Sequence, residues 1–167
     1  LISIISEYDG WIIGDDPATE NVFKEGRSGK LKAAVKWGVG IDNVDLSSAE
    51  KLGIPIKNTP GMFGDEVADL AHGYLICLAR NIIQIHNGII KGNWPKIRGE
   101  SLKGLVAGVI GYGDIGKNLT KRVLTSGMTT QIYDPFVKDL NLSEERLTKE
   151  NWPEKLENCD YVVLTCS

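Results

Sequence analysis

Val106 to Pro135 reads VAGVIGYGDIGKNLTKRVLTSGMTTQIYDP, and this stretch decides the fold. Val106-Ala-Gly-Val-Ile110 is an apolar run too short for a helix, which reads as a strand buried on both faces. Gly111-Tyr-Gly113-Asp-Ile-Gly116 follows, then a helix-like stretch from Ile115 to about Ser126, then a second strand at Gln131–Tyr133 that ends in Asp134. Gly111 permits a tight turn, Gly113 lets a pyrophosphate approach the backbone, and Gly116 lets the helix pack closely on the strand. The free N–H groups at the start of that helix, including those of Asp114 and Ile115, would face the phosphates. Asp134 lies 18 residues after Gly116, near the spacing of about 20 expected for an acid that bonds ribose hydroxyls. The glycines alone would be compatible with a plain βα turn. Strand, helix, second strand and acid in the required order instead predict dinucleotide binding. With no Arg close behind Asp134, NAD is favoured over NADP, because a carboxylate repels a 2′-phosphate.

The whole chain has 167 residues, 42% of them hydrophobic and 25% charged, with a formal net charge of −3. These values suit an ordinary globular protein of one domain or two small ones. Mild acidity without a basic cluster argues against nucleic acid as a partner. No run reaches the length of about 18 apolar residues that a membrane span needs, and Leu1-Ile-Ser-Ile-Ile lacks the flanks of a signal peptide. Cys77, Cys159 and Cys166 form no CxxC pair and read as thiols in a reducing cytoplasm. His72 and His86 offer no zinc-type spacing, so no metal site is expected.

Short strands and helices alternate before the glycine motif. Strands are expected at 9–14, 31–39 and 54–58, the last at an edge because of Pro55, with helices at the start of the chain, around 20–25 and at 47–52. A long helix starts near Asp65, with Val67, Ala71, Tyr74, Leu75 and Leu78 on one stripe; it restarts after Asn81 and stops at Gly92. Asp65, Glu66 and Asp69 read as an acidic helix start rather than as acid/base catalysts. Residues 93–100 form a proline-containing connector and the expected boundary between a unit at 1–92 and another at 101–167. Beyond Pro135 a short helix is expected near Ser143 and another after Trp152-Pro153, then a last strand at 161–165, giving three strands in the second unit.

Five segments together resemble the D-isomer-specific 2-hydroxyacid dehydrogenase family: Lys36–Asp45, Gly53–Gly61, Val67–Asp69 leading to Leu78–Arg80, the glycine motif with Tyr133-Asp134-Pro135, and Cys159–Leu164. Overall similarity points towards its phosphoglycerate dehydrogenase-like members. The resemblance implies an α/β chain: part of a flavodoxin-like substrate domain followed by the first half of a Rossmann NAD-binding domain. It implies hydride transfer between NAD(H) and a 2-hydroxy or 2-oxo acid. Gly38-Val39-Gly40 would offer N–H groups to the substrate carboxylate, with Val39 and Gly40 nearest; a glycine-rich strand end can do this, though a simple chain reversal has the same composition. Asn58 and Thr59 would lie near that loop or serve only as a turn. Gly111, Gly113, Asp114, Ile115, Gly116 and Asp134 would hold the cofactor, with Thr165 and Cys166 by its ribose. A homodimer in the cytoplasm is implied as well.

The family's catalytic Arg, Glu and His match no position here, since His72 falls within a helix and His86 at a structural position. The expectation is a fragment, lacking the start of the substrate domain and the catalytic second half, and inactive alone. The alternative is a nucleotide-binding regulatory module or pseudoenzyme, acting as a corepressor does, without catalysis.

Overall fold

The computed structural model describes residues 1–137, 140 and 144–166. By packing, the chain divides into Leu1–Phe63 and Gly64–Ser167. This division falls ahead of the 93–100 connector, because the long helix packs on the glycine-motif helix. Among the described residues no helix is long and apolar enough to cross a membrane.

The first unit runs α1 (Ile2–Ile5), β1 (Gly10–Ile13), α2 (Glu20–Ser28), β2 (Ala33–Lys36), α3 (Leu46–Lys51) and β3 (Ile56–Lys57). Its strands form a parallel sheet in the order β1-β2-β3, so β3 lies at an edge, as its preceding proline suggests. α2 buries Val22 and Phe23, with Glu20 at its positive end and Arg27 at its negative end. Ile5, Ile13, Phe23, Leu31 and Ile54 fill the core beneath the sheet. Asp45 caps α3 by accepting the Ser48 N–H at 3.0 Å, and Gly53 at φ +67° ends that helix turn.

The second unit runs α4 (Gly64–Ala79), α5 (Ile82–Ile90), β4 (Val106–Ile110), α6 (Asp114–Thr125), β5 (Thr129–Tyr133), β6 (Leu147–Lys149), a 3-10 turn (Leu156–Asn158) and β7 (Tyr161–Leu164). Asn81, in the left-handed region at φ 54°, breaks α4 from α5. The sheet is parallel throughout, in the order β6-β5-β4-β7. It therefore has four described strands rather than the three expected. The addition is β6, three residues inside a polar segment; only Leu147 is buried, so period-2 patterning had nothing to register. The helix expected from Ser143 begins outside the described residues, and Glu144–Arg146 lead into β6 through a turn. β4 is central and covered on both faces, hence its nearly unbroken apolar sequence.

α4 lies along α6, and polar contacts tie them. Arg122 donates through Nε to Asp69 at 2.6 Å and through its Nη2 to Asp65 at 3.1 Å, while His72 Nε2 and Ser126 Oγ are 2.8 Å apart. Asp65 and Asp69 are thus more than helix-start charges. Both carboxylates are largely exposed, so these pairs contribute about 1 kcal/mol or less each. The buried contacts of Ala68 and Leu75 with Leu119 and Val123 carry most of the docking.

Candidate cofactor cleft and carboxylate loop

Strand order reverses at β4: the chain moves outward through β5 and β6, then returns to β7 on the other side. In parallel α/β sheets the crevice at the carboxyl ends of such strands is where ligands bind. The glycine turn sits there, and its three glycines have three separate jobs. Gly111 has φ +92°, and a Cβ on it would stand 2.8 Å from the Cys166 nitrogen. Gly116 is buried; a Cβ there would run into the Gly111 carbonyl oxygen and come within 2.9 Å of Thr165 Oγ1. Gly113, the residue before α6, has nothing within 4 Å of a notional Cβ. Its missing side chain leaves open space in front of the helix rather than relieving a clash inside the protein.

No side chain caps α6. The first-turn N–H groups of Asp114, Ile115 and Gly116 have no partner within the helix, and the dipole there favours an anion. The Asp114 side chain turns towards Gly64 at the start of α4 and accepts from Asn118 Nδ2 at 3.3 Å, so its contribution to the open space is its backbone N–H. Thr165 donates its hydroxyl to the Gly111 carbonyl at 2.7 Å, with the Ile110 carbonyl at 3.1 Å, which ties the end of β7 to the turn. Cys166 is exposed beside Gly111.

Asp134 ends β5 across from the turn. Its two oxygens accept the Tyr112 N–H at 2.7 Å and the Phe136 N–H at 2.8 Å. The Tyr112 N–H above all, then those of Phe136 and Val137 and the charge of Lys149, hold its carboxyl below the usual range against an opposing effect of burial. An ionised carboxylate offers about four lone-pair positions, so acceptor capacity remains for a diol.

Asp134 borders a cleft of about 710 Å³. Ile110, Pro135, Phe136 and Trp152 give it apolar walls, and Lys149, Glu150 and Asn151 close the β6 side. Trp152 stands edge-on to Tyr133, ring centres 5.8 Å apart. Tyr133 is fixed in turn by donating to the Glu154 carbonyl at 3.0 Å, and burial foremost pushes its phenol up to about 12. Sequence reasoning missed this β6-side wall because it missed β6; Trp152-Pro153 was the one visible signal. Open glycine, uncapped helix start, diol-ready carboxylate and apolar cleft fit a dinucleotide.

In the first unit the second predicted site stands at the carboxyl end of β2. Gly38 donates to Thr59 Oγ1 at 3.0 Å and accepts the Thr59 N–H at 3.1 Å, while Asn58 Nδ2 donates to the Val39 carbonyl at 2.9 Å. Among the described residues the N–H groups of Val39 and Gly40 donate to nothing. Lys36 is buried nearby, with Nζ 2.5 Å from the Gly14 carbonyl and 3.7 Å from Asp15. Asn43 Nδ2 also donates to the Gly14 carbonyl, at 3.0 Å. The structure therefore brings Val39 and Gly40 together as two open donors, and makes Asn58 and Thr59 their supports.

Comparison with known proteins decides the lineage. The sequence profile described as "D-isomer specific 2-hydroxyacid dehydrogenase, NAD binding domain" matches residues 72–167. The chain belongs to this family. Its second unit carries the family's NAD-binding domain, and NAD is the cofactor that its residues fit. Hydroxypyruvate reductase of Thermotoga maritima is 34% identical over 148 residues, covering 87% of this chain and 48% of that protein. Human D-3-phosphoglycerate dehydrogenase is 34% identical over 171 residues, covering 98% of this chain and 31% of that protein. The NAD+-bound 3-phosphoglycerate dehydrogenase of Entamoeba histolytica superposes with a TM-score of 0.77 at 27% identity, covering 99% of this chain and 48% of the other. The chain thus spans between 31% and 48% of the length of these proteins.

Proposed function

We propose that the protein serves an NAD-dependent oxidoreductase of D-2-hydroxy acids, related to phosphoglycerate dehydrogenases. The observation that carries this reading is the pair of open N–H groups at Val39 and Gly40 in a chain whose second unit is an NAD-binding domain. The two donors suit the planar carboxylate of a 2-hydroxy or 2-oxo acid. The uncapped first turn of α6, with Gly111, Gly113 and Gly116, suits the pyrophosphate of NAD, and Asp134 the adenosine ribose. Thr165 and Cys166, at the switch point between β4 and β7, suit the second ribose. Bound NAD would supply the hydride acceptor. The names of the relatives, a hydroxypyruvate reductase and a phosphoglycerate dehydrogenase, agree with a small 2-hydroxy acid as substrate.

A homodimer belongs to the reading. It is supported by α5, which buries none of its residues and leaves Ile82, Ile83, Ile89 and Ile90 exposed beside Leu70, Tyr74 and Leu78 of α4. Three free thiols agree with a reducing cytoplasm.

Among the described residues neither histidine is suited to exchange a proton with the substrate oxygen. The imidazole of His72 is engaged with Ser126, and burial above all, then the charge of Arg122, pulls its pKa down. His86 lies on α5. NADH oxidation by this chain with pyruvate, glyoxylate, hydroxypyruvate and phosphohydroxypyruvate is therefore expected at background in a spectrophotometric assay. Turnover clearly above the buffer rate would contradict that part of the reading.

A further inference from the structure

The loop at the end of β2 is held by its carbonyls, and this determines where its free donors point. In a trans peptide the C=O and N–H of one unit point in opposite directions. The Gly38 carbonyl accepts the Thr59 N–H at 3.1 Å, so the Val39 N–H, on the same peptide, points away from Thr59. The Val39 carbonyl accepts Asn58 Nδ2 at 2.9 Å, so the Gly40 N–H points away from Asn58. Two consecutive peptides are pinned from the same turn, and both free donors turn to the opposite side.

The charged groups named beside the loop offer no surplus of positive charge. Lys36 is engaged with Gly14 and Asp15, and Asp42 Oδ1 would stand only 3.0 Å from a Cβ on residue 40. With a carboxylate that close, attraction for an anion has to come from aimed N–H dipoles rather than from a free cation.

We propose that Asn58 is a positioning residue for the substrate carboxylate: its side-chain amide holds the Val39–Gly40 peptide so that the Gly40 N–H meets one carboxylate oxygen, while the Thr59 backbone does the same for the Val39 N–H. This rests on the reading of Val39 and Gly40 as the carboxylate site. It assigns Asn58 a requirement for a donor. An Asp of the same shape would present an acceptor to the Val39 carbonyl and a negative charge near the ligand.

The test is a titration of the 15N-labelled protein with oxamate, the amide analogue of a 2-oxo acid, with and without NADH. In the wild type, the Val39 and Gly40 amide resonances should move on saturation. Asn58→Asp should raise the oxamate Kd about tenfold or more, the loss expected for one charge-assisted hydrogen bond. Its Tm and NADH affinity should stay at wild-type values, and the oxamate-induced shift should shrink at Gly40 while persisting at Val39, which Thr59 still holds. A merely structural role would move Tm and both amides together. Should Asn58→Asp fail to fold, Asn58→Ala, which only removes the donor, decides by the same readouts. Wild-type oxamate affinity in the folded variant would overturn the role of Asn58 and leave the carboxylate site standing. Oxamate shifts absent at Val39 and Gly40 in the wild type would overturn the site itself, and the proposal with it.

Discussion

Replacing Gly113 with Val should cost NADH affinity about 100-fold or more while leaving the fold intact, whereas replacing Gly116 with Ala should cost stability as well. The two glycines lie three residues apart, but their surroundings differ in kind. Around Gly113 nothing stands within 4 Å of a new Cβ, and its φ of −74° suits any residue. The valine methyls would occupy only the space in front of α6, where the pyrophosphate belongs. Loss of a glycine before the helix costs at most about 1 kcal/mol, so the Tm of a chain this size should move by no more than about 4 °C. At Gly116 a Cβ meets the Gly111 carbonyl and Thr165 Oγ1, so α6 must back away from the turn. Overpacking of this kind costs about 1–3 kcal/mol. Thermal melts by circular dichroism and NADH titrations on both variants check the pair. A Gly113→Val protein that melts normally and still binds NADH tightly would move the pyrophosphate elsewhere.

Asp134 should show the second large effect, in three readouts. Asp134→Ala leaves the Tyr112 and Phe136 N–H groups without their carboxylate. Hydrogen bonds to a charged group contribute about 1.5–3 kcal/mol each when buried and less at a half-exposed site, so a loss of about 2 kcal/mol in total is expected. The variant should bind NADH about tenfold or more weakly, since two ribose hydroxyls lose their acceptor. It should also gain on NADPH relative to NADH, since the charge that repels a 2′-phosphate is gone. The pH dependence follows from the direction of the shift. The folded-state pKa of Asp134 lies below its ordinary value of 3.8, chiefly because the Tyr112 N–H bonds the ionised form. Its contribution to stability is thus complete above about pH 5 and is lost as the pH falls through the folded pKa. Asp134→Ala should lack that part of the acid sensitivity, so the two proteins should converge in stability at low pH. A constant difference in stability across the acid range would show that the carboxylate is not what holds the turn.

The cofactor turn was legible because its physics is local. Strand, glycines, helix and acid lie within thirty consecutive residues, and Gly111 and Gly116 are needed for close contacts beside that segment while Gly113 leaves open space. The break at Asn81 and the stops at Gly53 and Gly92 were legible for the same reason, as positive-φ positions. Placing α4 by sequence is harder. Its apolar stripe says that it packs, but its attachment depends on α6, chiefly on Leu119 and Val123 with Arg122 and Ser126 beside them, far along the chain. β6 escaped because it gains its strand form from pairing with β5 at Thr130–Ile132, not from its own three residues. The wall of the cleft built on β6 was hidden with it. Asn58 is intermediate: its place beside a glycine loop was visible in the motif, and its grip on the Val39 carbonyl emerges only once β2 and β3 pair.

Most directly, the account stands or falls on a titration of the folded protein with NADH, followed by energy transfer from tryptophan to the reduced nicotinamide and repeated with NADPH. It predicts saturable binding of one NADH per chain, with NADPH weaker by about 100-fold because Asp134 lies beside the 2′ position. Absence of NADH binding by a chain with a cooperative melt, or equal affinity for NADPH, would contradict it.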